Sequence, residues 1–208
     1  FLGEQAAVGH LRALRDSASE RGFEDAVWSQ MAEMGWAGIA IDEAYGGLGY
    51  GYTGLGLVLE QIGRNLSASP LQSTVLVAAT VIAELGSDAQ KEQLLPAIAG
   101  GQAIASLALQ EGPHHAPENT ALSARRDGDD YVINGRKWWS TGIGDPRCKI
   151  AIVMGKTDPE ADRHRQQSMI LVPMDTPGVQ VKRMLSVYGY DHAPHGHGEV
   201  ILKDVRVP

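Results

Sequence analysis

The stretch Trp138-Trp139-Ser140-Thr141-Gly142 sets an aromatic pair beside two hydroxyls and a glycine. Neighbouring residues on a strand point to opposite faces, so one tryptophan is expected to pack inward while the other faces a cleft. A large flat ring next to hydroxyl and backbone N–H donors suits a flat heteroaromatic ligand, packed on the ring and bonded along its polar edge. Two tryptophans packed in a core or on a sheet surface are an equally good reading of these residues alone.

Other clusters invite chemistry and carry less of it. His192, His195, His197 and Glu199 fall within one short run, and alternate residues of a strand could converge on a metal. A polar loop with histidines on its edge is the better reading, because spacing alone shows no second shell to hold the ligands. His114-His115 lies between Pro113 and Pro117, where a solvated loop pair outweighs a catalytic one. Cys148, the single cysteine, has no obvious neighbour to lower its pKa, so it reads as a packed thiol. Gly49, Gly51 and Gly54 match GxGxxG. Dinucleotide binding needs that turn directly after a strand and an acid about 20 residues later. The strand-like run Gly38–Ile41 stops well short of Gly49, and no Asp or Glu occurs between Glu60 and Glu84. A nicotinamide fingerprint is therefore disfavoured.

The elements that must position these residues change character midway. Ala7, Val8, Leu11 and Leu14 recur at helical spacing. Further helices are expected over about Glu24–Met34, Thr53–Gly63 and Ser73–Leu85, the last nearly apolar all round. Another follows Ser87, where Ser87 and Gln90 have capping-box spacing. From Ile104 the pattern becomes short runs with β-branched residues: Ile104–Gln110, Ala121–Arg126, Tyr131–Asn134, Lys149–Met154, Ser168–Met174, Val179–Arg183 and Glu199–Val207. Asp127-Gly128 and Asn134-Gly135 both read as tight hairpin turns. No helix of ordinary length fits between the strands, which excludes a parallel βαβ sheet. The expected fold class is α+β: an all-helical domain over residues 1–103, then an antiparallel β-barrel or sandwich over 104–208.

Composition bounds the function. The chain has 208 residues, 43% hydrophobic and 21% charged, with a formal net charge of −7. That supports a real core and excludes low-complexity classes. The acidic excess lies in the helical half, and neither half is a basic patch, so nucleic acid is an unexpected partner. The longest apolar run, Val75–Ala83, is far short of the ~20 residues of a membrane span. The opening residues do not read as a signal peptide. A chain that begins at Phe1 and stops at Pro208, straight after a strand-like run, is expected to be a piece of a longer one.

Taken in order, these pieces resemble the acyl-CoA dehydrogenase family over nearly the whole chain. AYGGLG at Ala44–Gly49 is similar to the family's glycine turn between early helices. GSDAQKEQLLPAIAGGQ at Gly86–Gln102 resembles its GS-x-x-QK-x-x-x-LP-x-x-x-G stretch. DGDDYVINGRKWWSTG at Asp127–Gly142, DTPGV at Asp175–Val179 and VILKDVRVP at the close resemble its middle domain. SVYGYDHAPHGHGEV at Ser186–Val200 is similar to the branch that carries a phosphotransferase-like domain, which makes the histidines a branch signature with no implied metal. Residues around 106–120 resemble a divergent bacterial branch: the chain reads Gln110-Glu111-Gly112-Pro113 where the family has TEP, and it lacks the serine that follows.

The resemblance implies FAD as cofactor, an acyl-CoA thioester as substrate and electron-transfer flavoprotein or a similar acceptor as partner. It also implies a homo-oligomer in the full-length form and a cytoplasmic bacterial or eukaryotic organellar location. Trp139 matches the tryptophan beside the flavin and Thr141 the hydroxyl residue near N5, with Ser140 between them; Trp138 is expected to point away. Leu107, Ala108, Leu109 and Gln110 match the backbone stretch along the flavin pyrimidine. The family's C-terminal helical bundle is absent from the chain, so its catalytic base is expected beyond Pro208, with Glu111 the nearest substitute. A non-catalytic domain pair that binds flavin, thioester or protein is the alternative.

Overall fold

A computed structural model describes residues 1–17, 19, 22–113, 116–192 and 196–208. The chain divides into two compact units, Phe1–Ala105 and Ser106–Pro208.

The first unit is helical. α1 (Leu2–Gln5) and α2 (Val8–Asp16) replace the single helix expected there, because the chain turns at Ala6. α3 (Asp25–Glu33) buries Val27, Trp28 and Met31, and the Trp28 indole N–H donates to the Gly101 carbonyl at 2.9 Å. α4 (Gly51–Asn65) is longer than its apolar pattern suggested. The apolar segment expected as one helix begins as a π-helical stretch, Gln72–Ala79, and tightens into α5 (Thr80–Leu85). α6 (Asp88–Ala99) starts where its cap requires. Ser87 Oγ accepts the Gln90 N–H at 3.3 Å, and Gln90 Oε1 accepts the Ser87 N–H at 2.9 Å. Met31, Leu55, Leu71, Ile82, Leu95 and Ile98 fill the core of this unit.

The glycine-rich connection folds back on its own backbone. The run Gly38–Ile41 is not a strand: the 3-10 turn Trp36–Gly38 runs into further turn and bend at residues 39–41. The N–H groups of Leu48, Gly49 and Tyr50 already donate to the carbonyls of Gly38, Ile41 and Ile39 at 2.9–3.0 Å. A Cβ on Gly47 would lie 2.0 Å from the Ile41 carbonyl oxygen, so glycine is needed there for backbone to meet backbone.

The second unit is one curled seven-stranded sheet. Its strands are β1 (Ile104–Ala108), β2 (Ser123–Asp127), β3 (Asp130–Thr141), β4 (Cys148–Lys156), β5 (Gln167–Pro173), β6 (Val179–Met184) and β7 (His197–Val207). The path runs β1-β4-β2-β3-β7-β6, with β5 paired to β4. The β2–β3, β3–β7, β4–β5 and β6–β7 pairs are antiparallel; β2 meets β4 in a parallel pairing at Ser123 and Lys156. Ile133, Ala151, Val153, Val172, Val200, Leu202 and Val205 lie in its core.

Asp127-Gly128 turns the chain as expected, with Gly128 at φ 69° and Asp127 opposite Asp130. Asn134-Gly135 does not. It lies inside β3, where the register against β7 shifts between Ile133 and Gly135. The extra residue is on β7, where Asp204 adopts φ 50°. The Asn134 side chain patches that gap, its Oδ1 accepting the Asp204 N–H at 2.8 Å. Gly135 is required by contact instead of by a turn: a Cβ there would stand 2.8 Å from Leu122 Cα.

Ser87→Ala removes half of the α6 cap and should lower unfolding stability by about 1 kcal/mol. Urea denaturation checks this, and an unmoved midpoint would place the helix start elsewhere.

Candidate functional site

β3 reaches the tryptophans with Ile133, Gly135 and Lys137 on one face, and two of these are fully buried: Ile133 and Lys137 are both 0% exposed. Lys137 therefore sits at an inward position of an otherwise apolar row. Burial pushes its ammonium pKa down, and the hydrogen bond it donates to Glu111 resists the shift. Lys137 Nζ donates to Glu111 Oε1 at 2.7 Å and to the Leu109 carbonyl at 3.0 Å. The same carboxylate accepts the backbone N–H groups of Ala121 at 2.7 Å and Leu122 at 3.0 Å.

Past Lys137 the alternation breaks. The register against β7 shifts between Lys137 and Ser140, so β3 carries one extra residue, and Trp139 takes φ 51°. A bulge of this kind re-aims side chains. Trp138 and Trp139 consequently stand on the same side, edge to face, with ring centroids 5.9 Å apart. This corrects the expectation that one faces a cleft while the other packs away from it. Both rings are half-buried, and Arg136 lies over the Trp138 ring at 5.8 Å. Ser140 is turned inward and only 1% exposed, and neither its Oγ nor the buried Trp138 Nε1 has a hydrogen-bond partner among the described residues.

The strand end opposite is drawn to this bulge. The Trp138 N–H donates to the Gln110 carbonyl at 2.8 Å. Leu107, Leu109 and Gln110 are half-buried, whereas Ala108 belongs to the sheet core and offers only backbone. Thr141 is exposed; its carbonyl accepts from Ser106 Oγ, and its Oγ1 lies 2.9 Å from His197 Nδ1.

Among the described residues no group of three or more His, Cys, Asp and Glu could hold a metal ion. His195 and the pair His114-His115 lie outside the described residues. Glu199 is 1% exposed and is taken up by cations: Arg183 Nε at 2.6 Å, and Arg136 Nη1 and Lys182 Nζ at 3.3 Å each. The Arg183 hydrogen bond above all holds its carboxyl below the usual range. A register shift in β6 between Val181 and Arg183 lets Lys182 and Arg183 reach it together. Cys148 is buried, and burial pushes its thiol up to about 12.

Residue patterns missed Lys137, Arg136 and the pairing of Thr141 with His197. Lys137 was findable, because counting by twos from Ile133 puts a lysine in the core, and a buried lysine calls for an acid such as Glu111.

The N-terminal-domain model of the acyl-CoA dehydrogenases matches residues 5–102 and the middle-domain model matches residues 109–205. Acyl-CoA dehydrogenase family member 10 of Mus musculus is 48% identical over 130 residues, 62% of this chain and 12% of that protein. The crystal structure of acyl-CoA dehydrogenase from Geobacillus kaustophilus superposes with a TM-score of 0.76 at 29% identity, covering 100% of this chain and 53% of that one. A glutaryl-CoA dehydrogenase from Mycobacterium smegmatis in complex with FADH2 gives a TM-score of 0.75 at 25% identity, covering 96% and 52%. The chain thus spans about half the length of the solved structures it matches, and a far smaller share of the mouse protein.

Glu111→Gln keeps the shape of the side chain but leaves the Lys137 charge buried without its counter-charge, and should cost about 3–5 kcal/mol. Lys137→Met added to it removes the stranded charge and should recover much of that loss. Urea denaturation of both variants checks the pair, and a Glu111→Gln loss below about 0.5 kcal/mol would contradict it.

Proposed function

The chain belongs to the acyl-CoA dehydrogenase family, and on that premise we propose that it holds FAD and one side of an acyl-CoA thioester for α,β-dehydrogenation. The observation that carries the reading is the bulge at Trp138–Trp139, which stands two half-buried rings side by side next to an exposed hydroxyl. The buried, unpartnered Trp138 Nε1 fits a ligand that brings an acceptor to this edge. Bound FAD supplies the acceptor for the hydride that leaves the substrate's β-carbon.

This chain's residues have simpler tasks. Trp139 offers its ring to the flavin plane, and the Thr141 hydroxyl bonds the ring edge near N5. Ser140 supports the bulge between them. The stretch Leu107–Gln110 would lie along the pyrimidine, with the Leu109 and Gln110 carbonyls held in place by Lys137 and Trp138. Donors placed this way stabilise charge that appears on the ring during reduction.

Glu111 is not the base. Three of the four lone-pair sites of its carboxylate are taken, by the Ala121 and Leu122 N–H groups and by Lys137. We infer that the α-proton goes to a carboxylate other than Glu111. Electron-transfer flavoprotein or a similar acceptor and a homo-oligomeric full-length form complete the proposal. That same engagement of Glu111 supports the second reading, a domain pair that binds flavin or thioester without turning it over.

Anaerobic mixing of FAD-loaded chain with acyl-CoAs of several lengths tests both. Flavin should be retained, with slow bleaching at most, since a missing positioned base forfeits about 10²–10⁴-fold in rate. Bleaching at turnover speed would put a base within the chain. Protein that takes up no FAD would overturn the flavin reading.

A further inference from the structure

His197 is clamped. Its imidazole sits 5.6 Å from the Trp139 ring and 5.7 Å from that of His192, centroid to centroid, and lies directly across the β3–β7 ladder from Thr141. Thr141, by contrast, is exposed, and an exposed threonine hydroxyl on a strand has more than one staggered position open to it. The contact of 2.9 Å between Thr141 Oγ1 and His197 Nδ1 removes that freedom. An outward-facing hydroxyl is thus aimed by a ring that is itself held between two others.

We propose that His197 is the positioning residue for the Thr141 hydroxyl, fixing its rotamer and setting the direction in which it donates. This rests on the flavin reading for what Thr141 faces. Burial, with His192 alongside, lowers the imidazole pKa and favours the neutral ring. A neutral imidazole offers Nδ1 as a donor in one tautomer and as an acceptor in the other. With Nδ1–H donating to Oγ1, the Thr141 proton is free to be donated outward. With Nδ1 accepting that proton, Oγ1 keeps a lone pair for an incoming N–H. The same hydroxyl can therefore meet a ring nitrogen whether or not that nitrogen carries a hydrogen, with no movement of the backbone. A serine or threonine facing plain solvent would have to reorder water to do this.

The test has an arm that does not need FAD. Histidine-selective ¹⁵N labelling of the 208-residue chain reads the tautomer of His197 from long-range proton–nitrogen spectra. Thr141→Val should shift the His197 Nδ1 and Nε2 signals, and Thr141→Ser should restore them. The second arm is FAD affinity by flavin fluorescence. His197→Phe keeps a ring in the clamp and loses the nitrogen, and should weaken binding about fivefold, the worth of one hydrogen bond. Thr141→Val should weaken it to a similar extent, and the double variant no further, because both remove one interaction. His197→Asn, which returns a polar atom near the Nδ1 position, should recover part of the loss. Unchanged imidazole signals in Thr141→Val, or losses that multiply in the double variant, would overturn the proposal. A wild-type chain that binds no FAD would sink the flavin reading, and the nitrogen spectra would still decide the pairing of His197 with Thr141.

Discussion

One buried charge organises the β unit. The Lys137 ammonium has 0% exposure, and taking such a group out of water costs several kcal/mol unless it is paired and hydrogen-bonded. Here it is both, through Glu111 and the Leu109 carbonyl. The carboxylate in turn binds the backbone entering β2, so a single pair ties together the exit of β1, the approach to β2 and the middle of β3. A methionine opposite a leucine would fill similar space without the desolvation cost. It would not dictate direction, because apolar contacts are indifferent to which carbonyl or N–H lies beside them. The ion pair makes the geometry of this corner specific, and the tryptophans follow immediately after it.

Bulges then convert that fixed corner into a display of side chains. A regular strand would send Trp138 and Trp139 to opposite faces. The extra residue in β3 puts them together, and the shift in β6 does the same for Lys182 and Arg183 around Glu199. Arg136 joins the two centres: one guanidinium nitrogen reaches Glu199 at 3.3 Å and the other the Glu111 carbonyl at 2.9 Å. A carboxylate on β7 and a carbonyl beyond β1 are thereby held from one side chain of β3. Trp138 lies under the same guanidinium, so the aromatic pair is braced from the charged side as well as by its own contacts.

What could be read from the residues was what is local. Ser87 and Gln90 are three positions apart and cap a helix whatever surrounds them, and the Asp127-Gly128 turn needs only glycine's backbone freedom. The break from helices to strands followed from periodicity in the same way. Asn134-Gly135 misled because the dipeptide that favours a turn also favours a tight crossing, and Leu122, just ahead of the neighbouring strand, reveals which is needed. The tryptophan pair misled because a bulge is set by register with a partner strand, here some 60 residues away in sequence, and alternation assumes there is none. The Thr141–His197 contact depends on that same register. Around the glycines at 49, 51 and 54, the Leu48, Gly49 and Tyr50 N–H groups are spent on carbonyls of the same loop region.

The Lys137–Glu111 pair anchors the edge proposed to face the flavin. The most direct measurement is the FAD dissociation constant of Lys137→Met, taken well below its unfolding midpoint, with Ser87→Ala as a destabilised control from the helical unit. The account predicts that Lys137→Met binds FAD about tenfold more weakly or worse, a loss of roughly 1.4 kcal/mol, while Ser87→Ala binds as the wild type does. Wild-type affinity in Lys137→Met would contradict it.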